Sequence, residues 1–294
     1  MEFLRPTTLA EALEAKAAHP DAVPIAGGTD VMVEINFDHR RPSALLDLNR
    51  VSELYGYDVE EGRIRIAAAT PYTRIIAELG DRLPGLAMAA RTVGSPQIRN
   101  RGSVGGNLGA ASPAGDSHPA LLAADAEVEI ASTRGTRRVA AKDFYVGVKR
   151  NVLEPDELIT AVHLAPASGP QQFSKVGTRN AMVIAVCAFG LAVHPAERSV
   201  GTGVGSAAPT PRRAFDAEEF LASELAADDQ WDRPRALADS VKRRFGELVA
   251  AAAAPIDDVR GSADYRRHAL SVLARRTLGW AWTEYCGGRR TECV

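Results

Sequence analysis

The sequence predicts an α+β protein built from two N-terminal subdomains and a C-terminal domain. Three observations lead there. Strand-like and helix-like segments alternate irregularly up to Pro211, without the strict βαβ repeat of a doubly wound sheet. Beyond Pro211 the apolar residues take up the i, i+3, i+4 spacing of helices. The 294 residues suffice for two or three small domains, and 46% hydrophobic with 24% charged residues is an ordinary globular composition.

Each element has its own local signal. Thr8, with Glu11 three residues on, makes a capping box ahead of "LAEALEAKAAH", a helix. "AVPIAGGTDVMVEI" runs from a short strand through a glycine turn into a short segment. "ALLDLNRV" and "GRIRIAAAT" read as strands by their β-branched and apolar content. "PYTRIIAEL" and "LPGLAMAARTV" are helices with a proline near the start, where its missing N–H is tolerated. "HPALLAADA" is a short helix, and "EVEIAS", "TRRVA", "DELITAVHLA" and "QQFSKVGT" are strands. The apolar run Ala181–Val193 reads as a buried strand or strand pair and forms an antiparallel sheet with "RSVGTGVGSAA". "FDAEEFLASELAA", "RPRALADSVKRRFGELVAAAAA" and "SADYRRHALSVLARRTLGWAWTEY" are the C-terminal helices.

A formal net charge of -2 gives no reason to expect nucleic acid or an anionic membrane as partner. No apolar run approaches the roughly 20 residues that span a bilayer, and the start, "MEFLRPTT", lacks a hydrophobic signal region. A cytoplasmic protein is expected. Cys187, Cys286 and Cys293 include no C-x-x-C pair, so neither a disulfide framework nor a zinc or iron–sulfur site is expected from this chain. Cys187 lies in the apolar run and reads as a small buried hydrophobe, while Cys286 and Cys293 flank a mobile Gly-Gly-Arg-Arg tail.

Two glycine motifs carry the chemistry. In "IAGGTD", Ile25–Asp30, paired glycines after a strand can turn successive amides into one concavity that binds phosphate or carboxylate. The alternative is a plain tight turn. "SVGGN", Ser103–Asn107, repeats the logic within the longer stretch "RGSVGGNLGAASPAGD", which reads as a loop whose amides do the work. If both motifs face one cleft, a diphosphate is the natural ligand. Asp116 would then accept from a hydroxyl-bearing part of that ligand, because a carboxylate repels phosphate. The alternative is a surface loop with Asp116 as N-cap of the following helix.

A third motif misleads. "GVGSAA", Gly203–Ala208, matches the dinucleotide fingerprint G-x-G-x-x-A, but Pro209 and Pro211 forbid the helix that the fingerprint requires. It reads as a strand end and turn. Lys175 and Arg179 in "SKVGTRNAMVIA" are either solvated charges or partners for an electron-rich group. No histidine pair has metal spacing, and no nucleophile elbow G-x-S-x-G is present.

Taken in order, "FLRPTTLAEALEAK", "PIAGGTDVMVEIN", "LLDLNRV", "TVGSPQIRNRGSVGGNLGAASPAGDSHPALLA" and "SKVGTRNAMVIAV" resemble the FAD-binding medium subunit of the molybdenum hydroxylases, the xanthine dehydrogenase and carbon monoxide dehydrogenase type complexes. The resemblance implies an α+β FAD-binding domain of the vanillyl-alcohol oxidase type in two subdomains, residues 1–56 and 57–168. It further implies a C-terminal domain over 169–286 like that of carbon monoxide dehydrogenase flavoproteins, and a tail at 287–294. It implies FAD as cofactor. Pro24, Ile25, Ala26, Gly27, Gly28, Thr29, Asp30 and Val31 would hold the diphosphate together with Ser103, Val104, Gly105, Gly106 and Asn107, with side-chain bonds from Thr29 and Asn107.

The same resemblance puts Asp116 on flavin ribityl or ribose hydroxyls, Ile159 beside the adenine or ring system and Lys175 near the flavin. Val93 falls at a contact position that usually holds a larger residue. The implied partners are a large molybdopterin-binding subunit and a small [2Fe-2S] subunit, with NAD+ or another oxidant as acceptor. The rival readings are a self-contained flavin oxidoreductase, for which no catalytic base stands out, and a nucleotide-binding protein without redox use.

Overall fold

A computed structural model describes residues 1–290 of the chain, with side chains to residue 287. The first unit is β1 (Glu2–Leu4), α1 (Leu9–Ala18), β2 (Val23–Ile25), α2 (Val31–Asn36) and β3 (Ala44–Asp47). Its three strands form a parallel sheet in the order β1-β3-β2. Thr8 caps α1 by accepting from the Glu11 amide at 3.2 Å, and the Glu11 carboxylate accepts from the Thr7 amide. The segment "VMVEI" thus completes a local β-α-β-α-β run that its shortness had hidden.

The second unit begins with β4 (Tyr57–Glu60) and β5 (Arg63–Ala67). Five short helices follow: α3 (Tyr72–Glu78), α4 (Pro84–Thr92), α5 (Pro96–Arg99), α6 (Val104–Ala110) and α7 (Ser117–Ala123). Next come β6 (Glu127–Ser132), β7 (Gly135–Ala140), α8 (Ala141–Phe144), the small hairpin β8 (Tyr145–Gly147) and β9 (Arg150–Asn151), and β10 (Leu158–Leu164). The sheet is antiparallel in the order β4-β5-β10-β6-β7. One continuous apolar core, from Leu46 through Ile64 and Ile75 to Val128 and Val162, joins the first two units.

The third unit is an antiparallel sheet of β11 (Gln171–Val176), β12 (Cys187–His194) and β13 (Ser199–Gly205), backed by α9 (Phe215–Ala227), α10 (Asp239–Ala251) and α11 (Ala263–Arg290). Its core contains Phe189, Leu221, Phe245 and Leu278. Cys187 is fully buried there, and burial pushes its thiol up to about 12.

Several boundaries differ from the sequence expectation for identifiable reasons. The run from Ala181 becomes strand only at Cys187; Met182 and Ile184 are exposed, and Met182 takes φ 52°. The stretch before Asp239 is not helical, in keeping with the restraint imposed by Pro234. Helix α11 continues through the Gly-Gly-Arg-Arg segment to Arg290. Cys293 and the rest of the tail lie outside the described residues.

The "GVGSAA" motif has a packing explanation. Cross-strand pairs Gly190 with Gly203 and Ala192 with Gly201 present nearly bare backbone to the buried helix α7. A Cβ on Gly203 would lie 2.1 Å from the Pro119 carbonyl oxygen, and one on Gly201 2.1 Å from that of Ala123. Gly203→Ala is therefore expected to force apart two rigid backbones. Overpacking of this kind costs about 1–3 kcal/mol, and thermal unfolding should show a midpoint several degrees lower.

Candidate cofactor site

The two glycine motifs meet in space. The chain leaves β2 at Ile25 and turns at Gly27-Gly28, where Gly28 has φ +71°. Gly27 lies directly on the Arg101 peptide: a Cβ there would be 1.9 Å from the Arg101 carbonyl oxygen. Gly102 in turn approaches Thr29, with a virtual Cβ 3.6 Å from Thr29 Oγ1. Arg101 clamps the same turn through its side chain, donating to the Ala26 carbonyl at 3.4 Å and to Asn49 Oδ1 at 2.7 Å.

The first motif keeps its donors free. None of the five successive amides from Gly27 to Val31 has an acceptor among the described residues. Amides are obligatory donors, so five in a row around a left-handed glycine leave a run of donors of the kind that binds anionic oxygens.

The second motif differs from the expected loop, because Val104–Ala110 is helix α6. Ser103 caps it, its Oγ accepting from the Gly106 amide at 3.1 Å. The Gly105 amide donates to the Ala68 carbonyl at 3.0 Å, and the Asn107 amide to the Ser103 carbonyl at 3.0 Å. Gly105 is bare because a Cβ would meet Ala68 at 2.6 Å. What this wall offers a ligand is the side chain of Asn107, not the amides of 105–107.

Asp116 occupies the N-cap position of α7 but makes no capping bond. Its Oδ2 instead accepts from Lys175 Nζ at 2.6 Å and from Thr92 Oγ1 at 3.0 Å. Lys175 also donates to the Thr92 carbonyl at 3.2 Å. Both charged side chains are 9% exposed, so Lys175 is not a solvated charge. Burial pushes the Asp116 carboxyl above its ordinary range, while Lys175 and Thr92 pull it back. Asp116 Oδ1 is buried and has no partner among the described residues.

The remaining expected residues lie around this centre. Val93 ends α4, and its carbonyl accepts from Arg99 Nη1 at 3.1 Å, as does that of Gly94 at 2.9 Å. Ile159, on β10, is buried beneath α6, where a Cβ on Gly109 would touch its Cδ1 at 3.9 Å. Pro24 lies in β2, paired with Leu46.

A cavity of about 430 Å³ opens beside Lys175. Its apolar lining includes Met88, Phe173 and Val183, and its charged lining is Arg91, Arg99, Lys175 and Arg179, with no acid. Ala181, Met182 and Val183 edge the cavity, which accounts for the exposed Met182, whereas the exposed Ile184 lies outside its lining. The Arg179 guanidinium donates to the carbonyls of Ala181 and Met182, folding the segment on itself. Helix α5 ties cavity and cradle together, since Arg99 lines the first and the Ile98 carbonyl accepts the Gly102 amide at 2.6 Å. Thr92, Arg99, Arg101 and Asn49 had no sequence signal of their own; their roles come from contacts between distant segments.

Five free amides beside a buried ion pair and a cation-lined cavity form the kind of site that dinucleotide-binding proteins use. Comparison with known proteins identifies which kind. Residues 1–167 match the family model of the FAD binding domain in molybdopterin dehydrogenase, and residues 172–281 that of the CO dehydrogenase flavoprotein C-terminal domain. The chain is 37% identical to the nicotinate dehydrogenase FAD-subunit of Eubacterium barkeri, over 75% of this chain and 79% of that one. It is 32% identical to the putative xanthine dehydrogenase FAD-binding subunit of Escherichia coli K12, over 95% of both. The carbon monoxide dehydrogenase structure from Hydrogenophaga pseudoflava superposes with a TM-score of 0.87 at 26% identity, covering 97% of this chain and 98% of that one. The chain belongs to the family of FAD-binding subunits of molybdopterin dehydrogenases. It is an oxidoreductase flavoprotein subunit, and FAD is its cofactor.

Proposed function

We propose that this chain is the electron-transfer subunit of a molybdenum hydroxylase complex. It receives electrons from the [2Fe-2S] clusters of a small subunit and delivers them to NAD+ or another oxidant. A large molybdopterin-binding subunit carries the hydroxylation chemistry. Relatives named as FAD-subunits or medium chains of nicotinate and carbon monoxide dehydrogenases support this division of labour. When bound, FAD supplies a ring system that exchanges electrons singly or in pairs.

The observation that carries the reading is the run of amides from Gly27 to Val31 without acceptors among the described residues, in a turn packed on the Arg101–Gly102 backbone that leads into α6. Residues 24–31, through the free amides of Gly27–Val31, hold the linked phosphates together with the Ser103–Asn107 segment, which contributes the Asn107 side chain, and Thr29 adds a second side-chain donor. Asp116 Oδ1, buried without a partner among the described residues, accepts from a hydroxyl or N–H of the cofactor. Val93 and Ile159 supply apolar flanks. Lys175 holds Asp116 in place, and with Arg91, Arg99 and Arg179 it favours negative charge in the neighbouring cavity.

The test is an absorbance spectrum of the purified chain before and after boiling. Flavin bands with release of FAD are expected, together with co-purification of an iron–sulfur and a molybdopterin subunit from the native host. A chain that binds FAD but purifies alone from its host would leave a self-contained flavoprotein and overturn the proposed assembly.

A further inference from the structure

Behind Asn107 lies a buried file of hydroxyls that no part of the proposed function uses. Tyr72 and Ser117 are 2% and 0% exposed. Tyr72 Oη donates to Ser117 Oγ at 3.3 Å, and Ser117 Oγ donates to Asn107 Oδ1 at 2.6 Å. The order of donation is set by the proton inventory. A carboxamide can present either its oxygen or its NH2 to a hydroxyl. With Oδ1 towards Ser117, each hydroxyl proton in the file has an acceptor. With the NH2 there instead, the Ser117 oxygen would accept from it, and one of the two buried hydroxyl protons, that of Ser117 or that of Tyr72, would be left without an acceptor in the file, which buried polar groups rarely tolerate.

We infer that Ser117 and Tyr72 are positioning residues that lock the Asn107 carboxamide with its NH2 group turned away from them, ready to donate to an anionic oxygen of the FAD diphosphate. The surroundings agree. Asn107 Nδ2 has no acceptor among the described residues, and it sits over the bare backbone of Gly115, where a Cβ would approach it to 2.8 Å. Asn107 is half-buried, whereas the file behind it is closed to solvent. The hydroxyl of Ser117 thus acts at one remove, through the amide it orients. This inference rests on the proposed place of Asn107 in the cofactor cradle.

The experiment is FAD affinity of the full-length apo chain, measured by calorimetric titration for a double-mutant cycle. Asn107→Ala is expected to weaken FAD about tenfold or more, the range of a hydrogen bond to a charged acceptor. Ser117→Ala should weaken it several-fold in the wild-type background and by less than about twofold when Asn107 is already alanine, because coupled residues are not additive. Ser117→Thr, which keeps the hydroxyl, should restore most of the affinity, and Tyr72→Phe should reproduce a smaller part of the loss. A merely structural Ser117 would weaken FAD equally in both backgrounds, and that result overturns the inference. So does an unchanged affinity in Ser117→Ala. If Asn107→Ala itself leaves FAD affinity untouched, the assignment of Asn107 to the cradle fails together with the inference. If Asn107→Ala is weakened but shows no coupling to Ser117, only the positioning role fails. Should Ser117→Ala not fold, Tyr72→Phe in the same cycle decides the question.

Discussion

Gly27→Ala is expected to strip the chain of FAD. The added Cβ would sit 1.9 Å from the Arg101 carbonyl oxygen and 2.5 Å from its carbon, well inside any real contact. The clash is with backbone, so no rotamer change relieves it. Arg101 is also held, by its own bonds to Ala26 and Asn49, to the turn it would have to leave. Separating the two motifs costs about 1–3 kcal/mol by the usual measure of overpacking. Taken at the cradle alone, that is roughly 5- to 150-fold in FAD affinity. Fluorescence titration of the apo variant with FAD measures the loss, and retained wild-type affinity would mean that the two glycine motifs do not form one site. Gly28→Ala tests the neighbouring residue by a different route. There is room for its Cβ, 3.4 Å from the Met32 side chain, but φ +71° strains any residue with a side chain.

Lys175→Met should have a comparably large effect on stability. It leaves the Asp116 carboxylate buried with Thr92 as its single remaining partner. Breaking a buried pair from one side costs about 3–5 kcal/mol, because a charge stays behind without compensation. In a chain of this size that is a fall in melting temperature of roughly 5–15 °C. The pH dependence has a definite sign. Burial already holds the Asp116 carboxyl above its ordinary value, and Lys175 opposes that shift. Without Lys175 the folded chain binds the Asp116 proton still more tightly than the unfolded chain does. Stability of the variant is then kept below the unfolded carboxyl value near 4 and lost as pH rises through the elevated folded value. The deficit against wild type should therefore shrink on acidification. The double variant Lys175→Met with Asp116→Asn should recover much of the loss at neutral pH. A deficit independent of pH, unrelieved by the second substitution, would show that Lys175 matters for packing and not for its charge.

Much of the fold was legible because its signals are local. Thr8 and Glu11 marked α1, Pro84 marked the start of α4, and strand composition located β5, β6 and β10. Helix α6 was not legible, because Gly105, Gly106 and Gly109 carry poor helix propensity. It forms because Gly105 can press onto Ala68 and Ser103 can cap the first turn. The exposed stretch 181–184 was read as core because periodicity cannot distinguish a residue facing a cavity from one facing its own interior. At the site, the glycine turn at 27–28 was visible from the sequence, as was the rejection of Gly203–Ala208 as a nucleotide motif. The Asp116–Lys175 pair was not, since its members lie 59 residues apart and each had a plausible solitary role.

The glycine-faced contact between α7 and the third sheet limits how the second and third units can part. Asp116 immediately precedes α7, and Lys175 stands on β11 of the sheet that α7 rests on. Bare backbone meets backbone at Gly201 and Gly203, and His194 Nε2 donates to the Ala123 carbonyl at 3.1 Å across the same joint, so close packing leaves little room for one side to slide over the other. A clamshell opening between the second and third units would have to give up the whole joint and the ion pair at once. The segment from Arg179 to Ile184, by contrast, lies outside the sheet, is folded on itself through the Arg179 guanidinium and edges the cavity, so a substitution there leaves the joint between the second and third units untouched.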